Sequence, residues 1–218
     1  MYRTERIPEE GVEAYTKIAE FKGMEFFKEV AQLVAKSKPK LMLDVGTGPG
    51  ILLAEVAKLI DGICIGIDCT RKFGEYVKLY AERYGVTNRV EFIAGNAYAL
   101  PFKNCVFEVI TSTGVLHDLK YPERFFEEIH RVLKPDGIAL IKDPTPLRIS
   151  DREAEKILNE EEMKVYKEYR SIEREILGGN EIPWTFSKED VKLMLERINF
   201  KHEEIEKEGG VLSLYLVK

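Results

Sequence analysis

Residues 41–50 constrain the fold more than any other stretch of this sequence. Leu41–Val45 is a short run of mainly apolar residues, which is typical of a strand buried on both faces. Gly46, Gly48 and Gly50 follow at every second position, and apolar residues then recur with helical spacing from Ile51 onward. The pattern predicts a strand, a tight turn and a helix. Glycine lets another group approach the backbone, and a helix N-terminus presents free N–H groups, so the turn is either a ligand site or simply a tight turn.

Asp44 and Ile51 separate this turn from the dinucleotide-binding fingerprint. That fingerprint, G-x-G-x-x-G/A, requires glycine or alanine at position 51, and a carboxylate beside the turn suits a ligand with a positive end better than a pyrophosphate. The run D-x-G-x-G-x-G from Asp44 to Gly50 resembles the first motif of the class I S-adenosylmethionine-dependent methyltransferases. The resemblance implies S-adenosylmethionine as cofactor and S-adenosylhomocysteine as product. It places Asp44, Thr47 and the three glycines near the amino-acid part of the cofactor.

Polar side chains at the ends of the next two predicted strands extend this site. Asp68 follows the strand at 63–67 and lies 22 residues after Gly46, where open α/β sheets bind ribose hydroxyls. The alternative is an ordinary solvated aspartate at the start of a loop. Gly95-Asn96-Ala97 resembles the Gly-Asp-Ala sequence of the same family, with Asn96 offering a carbonyl acceptor in place of the acid. The resemblance places Cys69, Asn96 and the backbone of Ala97 beside the adenine.

The end of the fourth predicted strand carries the candidate residues for chemistry. The segment Ser112 to Leu119 resembles the family's fourth motif in its small-molecule branch. Its first two residues, Ser112 and Thr113, are predicted near the methionine end of the cofactor. His117 is the first candidate for a general base, which a hydroxyl acceptor would require. The alternative is a histidine that only packs the loop. Asp118, Asp143 and Trp184 are further candidates for the pocket.

The remaining pattern predicts the whole sheet. The run Phe125 to Ile141 closely resembles the family's signature of helix, L-K-P-G-G and strand, with Asp136 in place of the first glycine. Residues 200–207 and 211–217 read as a hairpin. We therefore expect an α/β fold of three layers, Rossmann-like, with seven strands and helices on both faces. The sheet is mostly parallel and ends in an antiparallel C-terminal hairpin strand. A nicotinamide-dependent domain of six parallel strands would not need that ending.

Two helical segments are predicted around this core, all within one domain of 1–218. Residues 1–38 form an N-terminal helical cap, in which Tyr15 to Ala19 resembles a segment that covers the cofactor in quinone-biosynthesis-type methyltransferases. Residues 143–186 interrupt the alternation of strands and helices, and an insertion there lies above the edge of the sheet where ligands bind. We interpret it as a substrate lid, the alternative being a solvated surface helix.

Composition narrows the class of partner. The 218 residues carry a net charge of −5, which argues against a broad nucleic-acid surface, and no apolar stretch is long enough for a secretory signal or a membrane span. The three cysteines lack metal-ligand spacing, so we expect no metal and a reduced, cytoplasmic compartment. Abundant Lys, Glu and Ile beside a single glutamine, Gln32, lean towards a thermophilic source.

Together these features predict a methyltransferase that moves a methyl group directly, in line, to a small-molecule acceptor. The N-P-P-Y sequence of nucleic-acid amine methyltransferases is absent. We expect a monomer or homodimer. The alternatives are a regulatory protein that binds the cofactor without transfer, an RNA or protein methyltransferase, and a nicotinamide-dependent oxidoreductase.

Overall fold

The computed structural model describes residues 6–144, 155–156, 158–177, 186–208 and 210–218. The strands are β1 Leu41–Val45, β2 Ile63–Asp68, β3 Val90–Ala94, β4 Phe107–Thr113, β5 Leu133–Pro144, β6 His202–Glu208 and β7 Val211–Val217. The helices are α1 Val12–Lys36, α2 Ile51–Leu59, α3 Phe73–Arg83, α4 Pro122–Val132, α5 Glu160–Leu177 and α6 Lys188–Leu195. Short 3₁₀ turns cover Glu9–Gly11 and Leu116–Asp118.

The seven strands form one sheet in the order β3-β2-β1-β4-β5-β7-β6. β1 to β5 are parallel, whereas β7 runs antiparallel to both β5 and β6. The predicted fold class is therefore confirmed, including the antiparallel C-terminal hairpin. The chain winds outward from β1 in both directions, so a crevice opens beyond the carboxyl ends of β1 and β4, where open α/β sheets bind ligands.

Apolar side chains cover both faces of the sheet. On one face, Leu43 and Val45 of β1 pack in a cluster with the buried side chains of α4 and α6, including Phe125 and Val191. On the other face, Met42 packs in a second cluster with α1, α2 and α3. Neighbouring residues of a strand point to opposite faces, which explains why one short apolar strand serves both clusters.

The helical segments outside the sheet are described in part. Of residues 143–186, the structure describes Asp143, Pro144, 155–156, 158–177 and Phe186, so part of the predicted lid, with the pocket candidate Trp184, lies outside the described residues. Its described helix α5 packs against α1 and buries Val165 and Tyr166. Across the described residues, no helix combines the length and the apolar character that crossing a membrane requires.

Candidate active site

The glycine turn between β1 and α2 adopts a backbone that side chains disfavour. Gly46, Gly48 and Gly50 have φ values of 71°, 53° and 79°. The turn is attached to β2, since the amides of Gly46 and Thr47 donate to the carbonyl oxygen of Ile67 at 2.8 and 3.1 Å. These three positions therefore require glycine for their positive φ angles, whether or not the turn also binds a ligand.

The three glycines face different surroundings. A Cβ at Gly46 would overlap the Val115 side chain, and one at Gly50 would lie 2.7 Å from Val77 Cγ2. Gly50 thus lets α2 pack closely against α3. Among the described residues, a Cβ at Gly48 would meet only Tyr15 Cε1, at 3.7 Å. Gly48 is the position at which the turn has room to receive a ligand against its backbone.

Asp68, the last residue of β2, joins the glycine turn to the next loop. Its Oδ2 accepts a hydrogen bond from the Gly48 amide and its Oδ1 accepts one from the Thr70 amide, both at 2.9 Å. Burial raises the pKa of the Asp68 carboxyl, and these amide hydrogen bonds oppose that shift. A carboxylate has about four acceptor positions, so ribose hydroxyls could bind in addition to the two amides.

A cavity of about 680 Å³ opens at the carboxyl edge of the sheet beside these residues. Its wall contains seven of the predicted cofactor residues: Tyr15, Gly46, Gly48, Asp68, Cys69, Asn96 and Ala97. The predicted residues Asp44, Thr47, Gly50, Ser112, Thr113 and His117 do not line it. The wall also contains residues that the sequence analysis missed, among them Arg6, Ile7 and Tyr98.

Asp44 and Ser112 lie beneath the turn and connect β1 to β4. Asp44 is 1% exposed, and its Oδ1 accepts a hydrogen bond of 2.7 Å from the Thr111 hydroxyl. Burial raises the pKa of Asp44 to about 6, although the Thr111 hydrogen bond works in the opposite direction. The Ser112 hydroxyl donates to the Val45 carbonyl oxygen at 2.8 Å. The two hydrogen bonds join the carboxyl ends of β1 and β4, from which the turn emerges. Thr47 of the turn is also buried, with its side chain beside Gly66 of β2.

The adenine end predicted from sequence is formed by the loops after β2 and β3. The side-chain oxygen of Asn96, Oδ1, accepts a hydrogen bond of 2.9 Å from the backbone amide of Tyr98, which shapes the loop after β3. Burial and the neighbouring Asp68 carboxylate raise the pKa of the Cys69 thiol to about 11. Cys69 is therefore a protonated thiol at neutral pH and a poor nucleophile.

Tyr15 brings α1 to the cavity. Its ring lies edge-on to Phe73, the first residue of α3, with ring centroids 5.8 Å apart, and both rings line the cavity. Burial raises the pKa of the Tyr15 hydroxyl, and the Asp118 and Asp68 carboxylates add to that shift. The phenol therefore stays protonated and can act as a hydrogen-bond donor beside the glycine turn.

His117 lies between two carboxylates, one of which, Asp118, belongs to the cavity wall. Its Nδ1 is 2.9 Å from Asp143 Oδ1 at the end of β5, and its Nε2 is 3.6 Å from Asp118 Oδ2. Asp143 is 6% exposed, whereas Asp118 lines the cavity. Within the part of the chain that the structure describes, no group of three or more His, Cys, Asp or Glu side chains could hold a metal ion.

The comparisons with known proteins agree with this geometry. Residues 43–141 match a family model described as a methyltransferase domain. The chain is 34% identical to an uncharacterised methyltransferase of Bacillus subtilis over 102 residues, 47% of this chain and 40% of that protein. It is 31% identical to the demethylmenaquinone methyltransferase of Chlorobaculum tepidum over 134 residues, 62% of this chain and 50% of that protein. The matched regions thus span half or less of these relatives.

A solved structure resembles the whole chain. A protein of Methanococcus maripaludis, proposed to be an S-adenosyl-L-methionine-dependent methyltransferase, superimposes with a TM-score of 0.74. The similarity covers all of this chain and 95% of that one, and at 19% identity it shows the fold. Residues 43–141 are therefore similar to a methyltransferase domain, and the chain as a whole shares the fold of that solved structure.

Proposed function

We propose that this chain is an enzyme that transfers the methyl group of S-adenosylmethionine to a small-molecule acceptor and releases S-adenosylhomocysteine. One observation carries the proposal. Gly48, which leaves open space beside the turn, donates its amide to Asp68 Oδ2 at 2.9 Å, and both residues lie in the wall of a cavity at the carboxyl edge of the sheet. A turn that admits a ligand and a carboxylate that can take a ribose are thereby combined in one site.

The residues of the wall fit this cofactor. A side chain at Gly48 would project where the amino-acid part would approach the backbone, and only Tyr15 stands near that position. Asp68 would hold the ribose hydroxyls. Asn96, Ala97 and Cys69 would surround the adenine, because they follow the neighbouring ends of β2 and β3. In this arrangement Asp44, Thr47, Gly50, Ser112 and Thr113 support the turn and the strand ends.

The bound cofactor supplies a methyl group already activated on a sulfonium. The protein's share of catalysis is then to align the acceptor with that group and to keep water out. For a hydroxyl acceptor, His117 would remove the proton. The 2.9 Å contact between Nδ1 and Asp143 supports this role, because donation to a carboxylate fixes the tautomer that leaves Nε2 able to accept a proton.

The acceptor class and the surrounding segments belong to the same proposal. The relative from Chlorobaculum tepidum acts, by its name, on demethylmenaquinone, a small molecule, and the acidic chain gives little for nucleic acid to bind. We place residues 1–38 as the cap over the cofactor and 143–186 as a substrate lid in a single domain. We further propose a cytoplasmic monomer or homodimer from a thermophilic source.

The test is production of S-adenosylhomocysteine from S-adenosylmethionine with panels of phenols, quinols and amines. We expect turnover with at least one small-molecule class. His117→Ala should slow transfer to a hydroxyl acceptor while leaving the affinity for S-adenosylhomocysteine within about twofold, because His117 does not line the cofactor cavity. Full activity of this variant would make His117 a packing residue. Tight cofactor binding with no turnover across the panels would instead favour a regulatory protein.

A further inference from the structure

The segment before α1 forms part of the cavity wall at the adenosine end. Arg6 and Ile7 line the cavity together with Asp68 and Cys69. Directly after them, Glu9–Gly11 forms a 3₁₀ turn that continues into α1. A stretch more than sixty residues away in sequence thus faces the loop that would hold the ribose.

Hydrogen bonds from three residues attach this segment to the loop between β2 and α3, including one from Lys72 Nζ to the Glu9 carbonyl oxygen at 3.3 Å. The hydroxyl of Thr70, which is 1% exposed, donates to the Ile7 carbonyl oxygen at 2.6 Å. The two carboxylate oxygens of Glu9 accept hydrogen bonds from the amides of Arg71 and Lys72, each at 3.1 Å. Every one of these donors lies within four residues of Asp68.

Glu9 supplies acceptors to two amides just before α3. The first amides of the helix, those of Phe73, Gly74 and Glu75, already donate to the carbonyl oxygens of residues 70–72. The amides of Arg71 and Lys72 donate to the Glu9 carboxylate, and a negative charge is favourable at this end of a helix. Glu9 therefore holds the start of α3 from outside, so the contact holds only while residues 6–9 lie against the loop.

We propose that Glu9 is a positioning residue that latches residues 6–9 over the adenosine end of the cavity and thereby sets the rate of cofactor exchange. The inference rests on the proposed function, since it requires the cofactor in this cavity. Entry and exit would both need the segment to lift away from the loop. Weakening the latch raises the fraction of time the segment is open and therefore accelerates association and dissociation together.

Surface plasmon resonance with S-adenosylhomocysteine, which needs no acceptor, tests the latch. Glu9→Gln keeps the size of the side chain but replaces one acceptor oxygen by an amide donor that faces a backbone N–H. We expect both rate constants to rise about tenfold and the dissociation constant to change by less than threefold. The matched control is Glu10→Gln, because the side chain of Glu10 is exposed and makes no hydrogen bond with the described part of the chain.

A second variant guards against a general loss of structure. Thr70→Val removes the donor to Ile7 at nearly constant volume and should accelerate both rates in the same way. The melting temperatures of the variants, without cofactor, should stay within a few degrees of the wild type. An unchanged dissociation rate in both variants would overturn the latch. So would faster dissociation with unchanged association, which would mean that Glu9 only shapes the bound state. If the wild type fails to bind S-adenosylhomocysteine, the proposed function itself fails.

Discussion

Replacing Asp68 by alanine tests the site at its most informative residue. The substitution removes the acceptor of the Gly48 and Thr70 amides together with the acceptor positions left for a ribose. A hydrogen bond to a charged group contributes about 1.5–3 kcal/mol. Losing one such bond to the cofactor corresponds to a fall in affinity of between about tenfold and about 150-fold. We therefore expect Asp68→Ala to weaken S-adenosylhomocysteine binding by more than tenfold.

The assay is titration calorimetry with a control near the other end of the same strand. Asp61 lies two residues before β2, its side chain is 97% exposed, and it forms an ion pair of 3.7 Å with Arg89. Asp61→Ala should bind the ligand as the wild type does. Melting temperatures measured alongside separate a loss of binding from a loss of fold. An affinity of Asp68→Ala within twofold of the wild type would refute the ribose role.

Two further predictions concern the structure beneath the turn. The pKa of Asp44 is about 6 in the folded chain against an ordinary 3.8, so the folded state binds the extra proton between these pH values and its stability falls as pH rises through them. Asp44→Asn removes that titration. Its free energy of unfolding in urea, relative to that of the wild type, should increase by up to about 3 kcal/mol between pH 4 and pH 7. A difference in free energy that does not change with pH would contradict the raised pKa. Gly46→Ala adds a Cβ that overlaps Val115 at a φ of 71°, and it should destabilise the fold by about 2–4 kcal/mol, with partial recovery when Val115→Ala is added. An unchanged urea midpoint for Gly46→Ala would show that the turn tolerates a side chain.

The sheet and the ligand-binding edge could be predicted because local sequence encodes them. Gly48 and Asp68 stand where a close backbone approach and a carboxylate are needed, and their spacing follows from one strand–helix–strand unit. The C-terminal hairpin could also be predicted, because apolar and polar residues alternate on both sides of a glycine turn. Even the departure at Asp136 fits, since this residue adopts a left-handed φ of 61°, which aspartate tolerates better than most residues.

The parts that sequence could not give are contacts between distant segments. Nothing near Glu9 or Arg6 indicates that they meet the loop after β2, because no periodic pattern records a contact across about sixty residues. The same holds for the hydrogen bond from Thr111 to Asp44, which joins neighbouring strands far apart in the chain. Gly50 was interpreted as a place of ligand approach, whereas the structure shows it against Val77, because packing and binding place the same demand on a glycine.

Parallel calorimetric titration of the purified protein with S-adenosylmethionine, S-adenosylhomocysteine and NAD tests the central claim most directly. The cavity beside Gly48 and Asp68 should bind the first two ligands at micromolar concentration and show no heat with NAD. Such a result would support the cofactor assignment and justify the search for an acceptor. Binding of NAD alone would contradict the account of the glycine turn and with it the proposed methyl transfer.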